Sequence, residues 1–195
     1  MAHPRPMNDL PMDALPTPDE VIDATRRWLE RAVIGLNLCP FAKAVHKKGQ
    51  VRYVVSEATQ PLQLHADLVR ELETLRDADP EAIDTTLLIH PGVLADFMDF
   101  NEFLEVADDT VADLALEGEI QVASFHPHFQ FEGTAPDDVT NYTNRSPFPT
   151  LHLLREASID RAVAAFPDAA SIFETNIATL DKLGVEGWQA LFAKP

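Results

Sequence analysis

The sequence predicts an α/β fold in which a mostly parallel sheet, of three strands or slightly more, is connected by crossover helices. Two observations predict it. Three short apolar runs, 51–56, 84–89 and 119–125, have the length and composition of buried strands. Helical patterns at 60–77 and 94–116 lie between them, and helices between strands favour parallel pairing. A ferredoxin-like α+β sheet with one antiparallel strand is the alternative.

The predicted helices begin and end at recognisable signals. Thr17 followed by Pro18 and Glu20 is typical of a capped helix start, and Gly35 marks the end of this first helix. Pro40 starts a second, short helix and Pro149 starts a later one, because proline is favoured at the first helical position. Further helices are predicted at 158–166, 171–183 and 185–192.

Length and composition favour one domain. The chain has 195 residues, 46% of them hydrophobic, which is enough for a single core. Residues 1–16 are rich in proline and have no apolar signal-peptide core. We therefore expect a flexible N-terminal arm at 1–16 and a single α/β domain at 17–195.

Charge and cysteine content exclude several classes of protein. A formal charge of −17 argues against nucleic-acid binding, which requires clustered basic residues. No apolar run reaches the roughly 20 residues of a membrane span. The single cysteine excludes an internal disulfide and fits a reducing compartment. The sequence therefore predicts a cytoplasmic protein that binds neither membranes nor nucleic acids, and it leaves the oligomeric state open.

Basic residues are concentrated in two windows that contain no acid. Residues 31–56 contain five basic residues and residues 139–155 contain two. The rest of the chain contains the other eight of the fifteen basic residues and all 32 acidic residues. If the two windows meet in the fold, they form one positive spot suited to a small anion.

Polar residues follow each predicted strand. Glu57, His90, His126 and His128 stand at or just beyond the carboxyl ends of the three strands, where open α/β sheets bind ligands. His126 and His128 lie on one face if the backbone stays extended there. The two imidazoles could then hold a divalent metal such as zinc, with His90, or else Glu57, Glu132 or His152, as a third ligand, or exchange protons with a substrate.

Other candidate residues lie outside the strand ends. Cys39 precedes the short helix at Pro40, and free N–H groups with nearby Lys43 would favour a thiolate nucleophile. A buried and inert Cys39 is the alternative. Lys43, Asn144 and Arg145 are candidates for anion binding, and Phe129 for a pocket wall. The predicted helix N-terminus near Thr150 would add a further anion site.

Three stretches resemble the signatures of the bacterial domain of unknown function 1415 family. They are Gly35-Leu-Asn-Leu-Cys-Pro-Phe-Ala, Ser124-Phe-His-Pro-His-Phe-Gln-Phe and Asn144-Arg-Ser-Pro-Phe-Pro-Thr-Leu-His-Leu-Leu-Arg. The resemblance covers most of residues 17–188. It implies one folded domain and brings no established activity.

Two function classes follow from these residues. In the first, the protein is an enzyme, such as a hydrolase, that acts on a small anionic metabolite. His126, His128, Cys39 and Glu57 are then the catalytic candidates. In the second, the same pocket senses a small anion without changing it, as in a regulatory module. Turnover of a bound ligand discriminates between the two.

Overall fold

The computed structural model of the protein describes residues 15–165 and 171–193. Its sheet contains four strands, which are β1 (Val51–Val55), β2 (Thr85–Ile89), β3 (Ile120–Phe125) and β4 (Thr150–Arg155). The first three coincide with the predicted strands to within a residue at either end. The N-terminal arm predicted for residues 1–16 lies, except for its last two residues, outside the described part.

The helices surround this sheet. They are α1 (Pro18–Trp28), α2 (Ala42–Lys47), α3 (Pro61–Asp77), α4 (Phe97–Asp113), α5 (Glu156–Ala165) and α6 (Ile172–Phe192). A π-helical segment at Leu29–Ile34 extends α1, and a 3-10 helix forms at Val139–Asn144. The predicted capping box is confirmed, since Thr17 and Glu20 bond to each other's backbone N–H. Gly184, with φ +66°, interrupts α6 at the predicted break between two helices.

The prediction of a mostly parallel sheet is wrong, although the α/β class holds. The strand order is β1-β2-β4-β3, and only β1 and β2 pair in parallel. β4 pairs antiparallel with both β2 and β3. It comes from the segment predicted to form a helix at Pro149, so that prediction is wrong as well. Pro149 lacks an N–H but accepts a hydrogen bond from His90 N at 3.0 Å, which ties the start of β4 to the end of β2.

The sheet is covered on both faces. Leu88, Leu151 and Leu153 point to the face where α3 and α4 pack, and all three are buried. Tyr53 and Phe125 point to the opposite face, where they pack against a cluster around Trp28. Burying each large apolar side chain contributes roughly 1.5–3 kcal/mol, so the two cores together hold the sheet in place. We call the first face the α3/α4 face and the second the Trp28 face.

The strand directions determine where the polar residues meet. β2 and β3 are both antiparallel to β4 and so run the same way, as does β1. Their carboxyl ends therefore share one edge of the sheet with the amino end of β4. We call this edge the rim, made of residues 56–58, 90–94, 126–129 and 144–149.

Among the described residues, no helix is long and apolar enough to cross a bilayer.

Candidate functional site

His90 lies at the end of β2, completely buried beneath the rim. Its Nδ1 is 3.1 Å from Val93 O, and its ring stacks on Phe100 with 5.7 Å between centroids. Because a carbonyl only accepts, Nδ1 carries the proton and Nε2 is left as an acceptor. Burial lowers the pKa of His90 to about 4, so the ring is neutral near pH 7. Within the described residues, Nε2 has no hydrogen-bond partner.

His126 follows β3 and is also buried, but both of its ring nitrogens are engaged. Nε2 is 3.1 Å from Leu94 O, and Nδ1 accepts the backbone N–H of His128 at 3.0 Å. The ring centroid lies 5.0 Å from that of Phe100. Burial lowers the pKa of His126 as well. His126 is therefore a neutral, fully bonded imidazole that is closed to solvent.

His128 and Phe129 occupy the outer part of the same loop. The His128 side chain is exposed, and its ring centroid lies 5.9 Å from that of His126. Phe129 donates its N–H to His126 O at 3.1 Å, and its ring packs edge-on against Phe97 at 5.3 Å. The loop thus exposes the imidazole of His128, whereas the ring of Phe129 is packed against Phe97.

Asn144 and Arg145 hold this loop from the side. The Asn144 side chain donates to Ser124 O at 3.3 Å, and Asn144 O accepts His126 N–H at 3.2 Å. Arg145 donates from Nε to Phe129 O at 3.1 Å and from Nη2 to Pro136 O at 2.6 Å. Its guanidinium also stacks 4.6 Å above the Tyr142 ring. In the described part of the chain, no carboxylate forms an ion pair with Arg145, so its charge is balanced only by carbonyl and ring dipoles.

Glu57 lies at the rim but in a different surrounding. It is exposed and lines an open cavity of about 440 Å³ beside the end of β1. Asp67 and Arg70 of α3 line the same cavity and pair with each other at 2.8 Å. Asp67 also accepts a hydrogen bond from Ser56 Oγ at 2.5 Å. Among the described residues that line this cavity there is no histidine, so Glu57 shares it with Asp67 and Arg70 and not with the imidazoles.

Cys39 and Lys43 are not placed with the imidazoles. Cys39 is half-buried and packs against the cluster around Trp28, whereas His90 and His126 contact Phe100 on the α3/α4 face. Lys43 is exposed on α2. The structure therefore brings His90, His126, His128, Phe129, Asn144 and Arg145 together at the rim.

The β4 strand changes the interpretation of two further residues. No helix begins at Thr150, so the predicted anion site at a helix N-terminus there is absent. Arg155 lies at the far end of β4 from Arg145 and donates to Leu75 O, Ala78 O and Ile83 O. The bonds to Leu75 O and Ala78 O satisfy carbonyls at the end of α3, and the bond to Ile83 O reaches the segment before β2. The two basic residues of the 139–155 window therefore lie at opposite ends of β4 and do not share one positive spot.

His152 lies in the middle of β4, on the Trp28 face, instead of on a helix. Its Nε2 is 2.7 Å from Thr85 Oγ1, and Thr85 donates its hydroxyl proton to Leu153 O. Nε2 must therefore be the protonated nitrogen. Burial lowers the pKa of His152 to about 4.

The arrangement does not favour a metal centre. Within residues 15–165 and 171–193, no three His, Cys, Asp or Glu side chains are grouped so that they could hold an ion. His126 has no nitrogen free for coordination, because each is used in a hydrogen bond. The zinc prediction for His90, His126 and His128 thus gains no support from the geometry of these residues.

Sequence reasoning missed two residues that shape the site. Phe100, which contacts both buried imidazoles, is one of several apolar residues at helical spacing, so no signal distinguishes it. Leu94 has φ +57°, a conformation that nothing in its residue type predicts. The Pro91-Gly92 pair before it was the only available sign of an irregular turn.

The comparisons with known proteins give one match. The family described as Protein of unknown function (DUF1415) matches residues 20–190. Neither the curated proteins nor the solved structures include a match.

Proposed function

The chain belongs to the DUF1415 family, whose function is unknown, and we propose that it is an enzyme acting on a small anionic molecule at the rim. One observation carries the proposal. The exposed imidazole of His128 stands on a loop whose backbone is bonded from both sides, next to a guanidinium that has no carboxylate partner among the described residues. A reactive side chain held on a rigid support is what catalysis requires.

His128 is the proposed acid–base group. Imidazole is the side chain suited to exchanging protons at physiological pH. His128 is open to solvent, whereas His126 is closed and fully bonded. Only His128 can reach a substrate without rearrangement of the loop.

Arg145 is the proposed anion-binding group. A guanidinium has five N–H donors, and the two bonds to Phe129 O and Pro136 O use two of them. Stacking on Tyr142 holds its plane in one orientation. The remaining donors suit a carboxylate or phosphate oxygen. The exposed carboxylates Glu132 and Asp137 on the neighbouring loop would repel an extended polyanion, which limits the proposal to small anions.

A thermal-shift series with inorganic phosphate, acetate, citrate and AMP tests anion binding, because a ligand that binds the native state raises Tm. We expect at least one anion to raise Tm of the wild type and to have no effect on Arg145→Gln. His46→Gln is the control variant, since His46 lies on α2, outside the rim, and pairs with Glu30 at 3.3 Å. An equal Tm rise in Arg145→Gln would refute the assignment of Arg145.

Turnover separates the enzyme from its alternative. Product analysis by mass spectrometry, after incubation with each stabilising anion, should find conversion by the wild type and little by His128→Gln. That variant should still bind the anion. A non-catalytic anion-binding module is the second candidate, and it is favoured by the closure of His126, which leaves one accessible imidazole at the rim. Ligands that raise Tm but are recovered unchanged would support the module instead.

A further inference from the structure

His126 connects two loops of the rim through its two ring nitrogens. Leu94 O can only accept, so Nε2 must carry the proton. The His128 backbone N–H can only donate, so Nδ1 must be unprotonated. The hydrogen bonds thus define both the charge and the tautomer of His126.

The turn held by His126 is strained. Leu94 has φ +57°, in the left-handed region that residues other than glycine seldom adopt. The preceding carbonyl, Val93 O, lies 3.1 Å from Nδ1 of His90. Two buried imidazoles therefore hold consecutive carbonyls of one turn, immediately before Asp96 caps α4.

We propose that His126 is a positioning residue for His128. As a neutral imidazole protonated on Nε2, it joins the Leu94 turn to the His128 backbone and so holds in place the backbone that carries the exposed His128 ring. This inference rests on the proposed function for the catalytic role of His128, but the positioning itself can be measured without any ligand.

The surroundings of His126 favour the neutral state. The polar groups facing it are His90 from the end of β2, His128 from its own loop and Asp96 from the start of α4. The rings of Phe97 and Phe100 cover the remaining sides, at 5.5 Å and 5.0 Å. A proton on Nδ1 would face the His128 N–H and remove its acceptor. The burial that lowers the pKa of His126 therefore also preserves the bond to His128.

Nitrogen-15 NMR of the wild-type histidine rings at neutral pH tests the tautomer directly. We expect the His126 signals of a neutral ring, protonated on Nε2 and unprotonated on Nδ1. Signals of a ring protonated on Nδ1 would overturn the proposal. A change in the chemical shifts of both His126 nitrogens on addition of one equivalent of zinc would also overturn the proposal, since it would make His126 a metal ligand.

Two substitutions separate the two bonds of His126. In His126→Asn the side-chain oxygen takes the place of Nδ1 and can still accept the His128 N–H. In His126→Gln the amide NH₂ takes the place of Nε2 and can still donate to Leu94 O, but no acceptor faces His128. We expect hydrogen exchange of the His128 amide to be about fivefold faster or more in the Gln variant than in the Asn variant, the effect of one hydrogen bond.

The matched control is Val111→Ala, which removes buried volume from the same α3/α4 face without touching either loop. It should lower global stability and leave the relative exchange of the His128 amide unchanged. Equal exchange in the Asn and Gln variants would overturn the positioning role. If positioning is confirmed but no anion is bound or converted, the proposed function fails and the structural inference stands.

Discussion

The rim and the centre of the sheet use the same side chain in different ways. His126 and His152 are both neutral and protonated on Nε2. His152 donates to Thr85 Oγ1, which continues to Leu153 O, so its bond remains between β2 and β4. His126 instead bonds to the backbone of two loops, one of which carries the exposed His128.

This difference separates a stabilising histidine from a positioning one. A bond between adjacent strands strengthens a geometry that the backbone ladder already determines. A bond between two loops determines a geometry that no ladder provides. Charge and tautomer are the same for both histidines, so the position of the hydrogen-bond partner distinguishes their roles.

Acid should weaken both regions together, and this is the largest expected effect. The pKa values of His90 and His152 are lowered from 6.5 to about 4 in the folded protein. Between these values the unfolded chain binds more protons than the folded chain, so stability falls as the pH drops from 6.5 toward 4. Each histidine accounts for on the order of 3 kcal/mol over that window. Urea unfolding at a series of pH values measures the slope.

The control for the acid effect is His152→Gln, which should reduce the slope between pH 6.5 and 5 and leave the part due to His90 and His126, whose pKa values are also lowered. Carboxyl groups with lowered pKa values, such as those of Glu20 and Asp138, titrate below this range. An unchanged slope in His152→Gln would contradict the lowered pKa of that ring.

Phe100→Ala should affect the rim selectively. The Phe100 ring contacts both His90 and His126 and is fully buried. We expect a loss of about 3–5 kcal/mol in the free energy of unfolding, from lost transfer energy and the cavity left behind. Leu68→Ala, on the same face, serves as the comparison and should cost about 2–5 kcal/mol. Only Phe100→Ala should also speed exchange of the His128 amide, and the same acceleration in Leu68→Ala would remove the distinction.

The centre of the sheet can be tested with two adjacent threonines. Thr85→Val keeps the shape of the side chain but deprives His152 Nε2–H and Leu153 O of their partner, at a cost of about 1–3 kcal/mol. Thr86 Oγ1 is buried with no partner among the described residues. Thr86→Val should therefore be neutral or slightly stabilising. Urea unfolding of the pair checks the contrast, and equal losses would show that the hydrogen bonds of Thr85 are not the cause.

Cys39→Ala should have the smallest effect. Cys39 is half-buried at the edge of the Trp28 cluster, so we expect a loss of about 1 kcal/mol or less. Anion binding and turnover at the rim should be unchanged, because the proposed roles belong to His128 and Arg145 and not to the thiol. A complete loss of turnover in Cys39→Ala would restore the thiol as the nucleophile and contradict the role given to His128.

Local sequence patterns predicted most of the elements. The short apolar runs at 51–56, 84–89 and 119–125 and the capping box at Thr17 and Glu20 are short-range signals, and the structure confirms them. The strand at Thr150–Arg155 was missed because a six-residue apolar run after a proline fits a helix start as well as a buried strand. Its pairing with β2 and β3 involves residues far away in the chain, which no local pattern reports.

The same limit applies to the site. Placing polar groups beyond the strand ends identified His90, His126 and His128 as neighbours of the rim, because strand direction follows from the crossover helices. The position of these residues beyond the strand ends did not reveal that the His126 ring is buried and the His128 ring exposed. That difference arises because Phe97 and Phe100 cover the ring of His126. Sequence reasoning also grouped Cys39 and Lys43 with the imidazoles, although the side chain of Cys39 packs on the opposite face.

By itself, the sequence determined the elements whose signals span a few residues: three strands, the caps and breaks of helices, and the supply of imidazole, guanidinium and thiol groups. The tertiary structure alone decided the antiparallel position of β4 and the partner of each ring nitrogen. The physical reason is that propensity and capping act between neighbours in the chain, whereas burial and hydrogen-bond pairing act between neighbours in space.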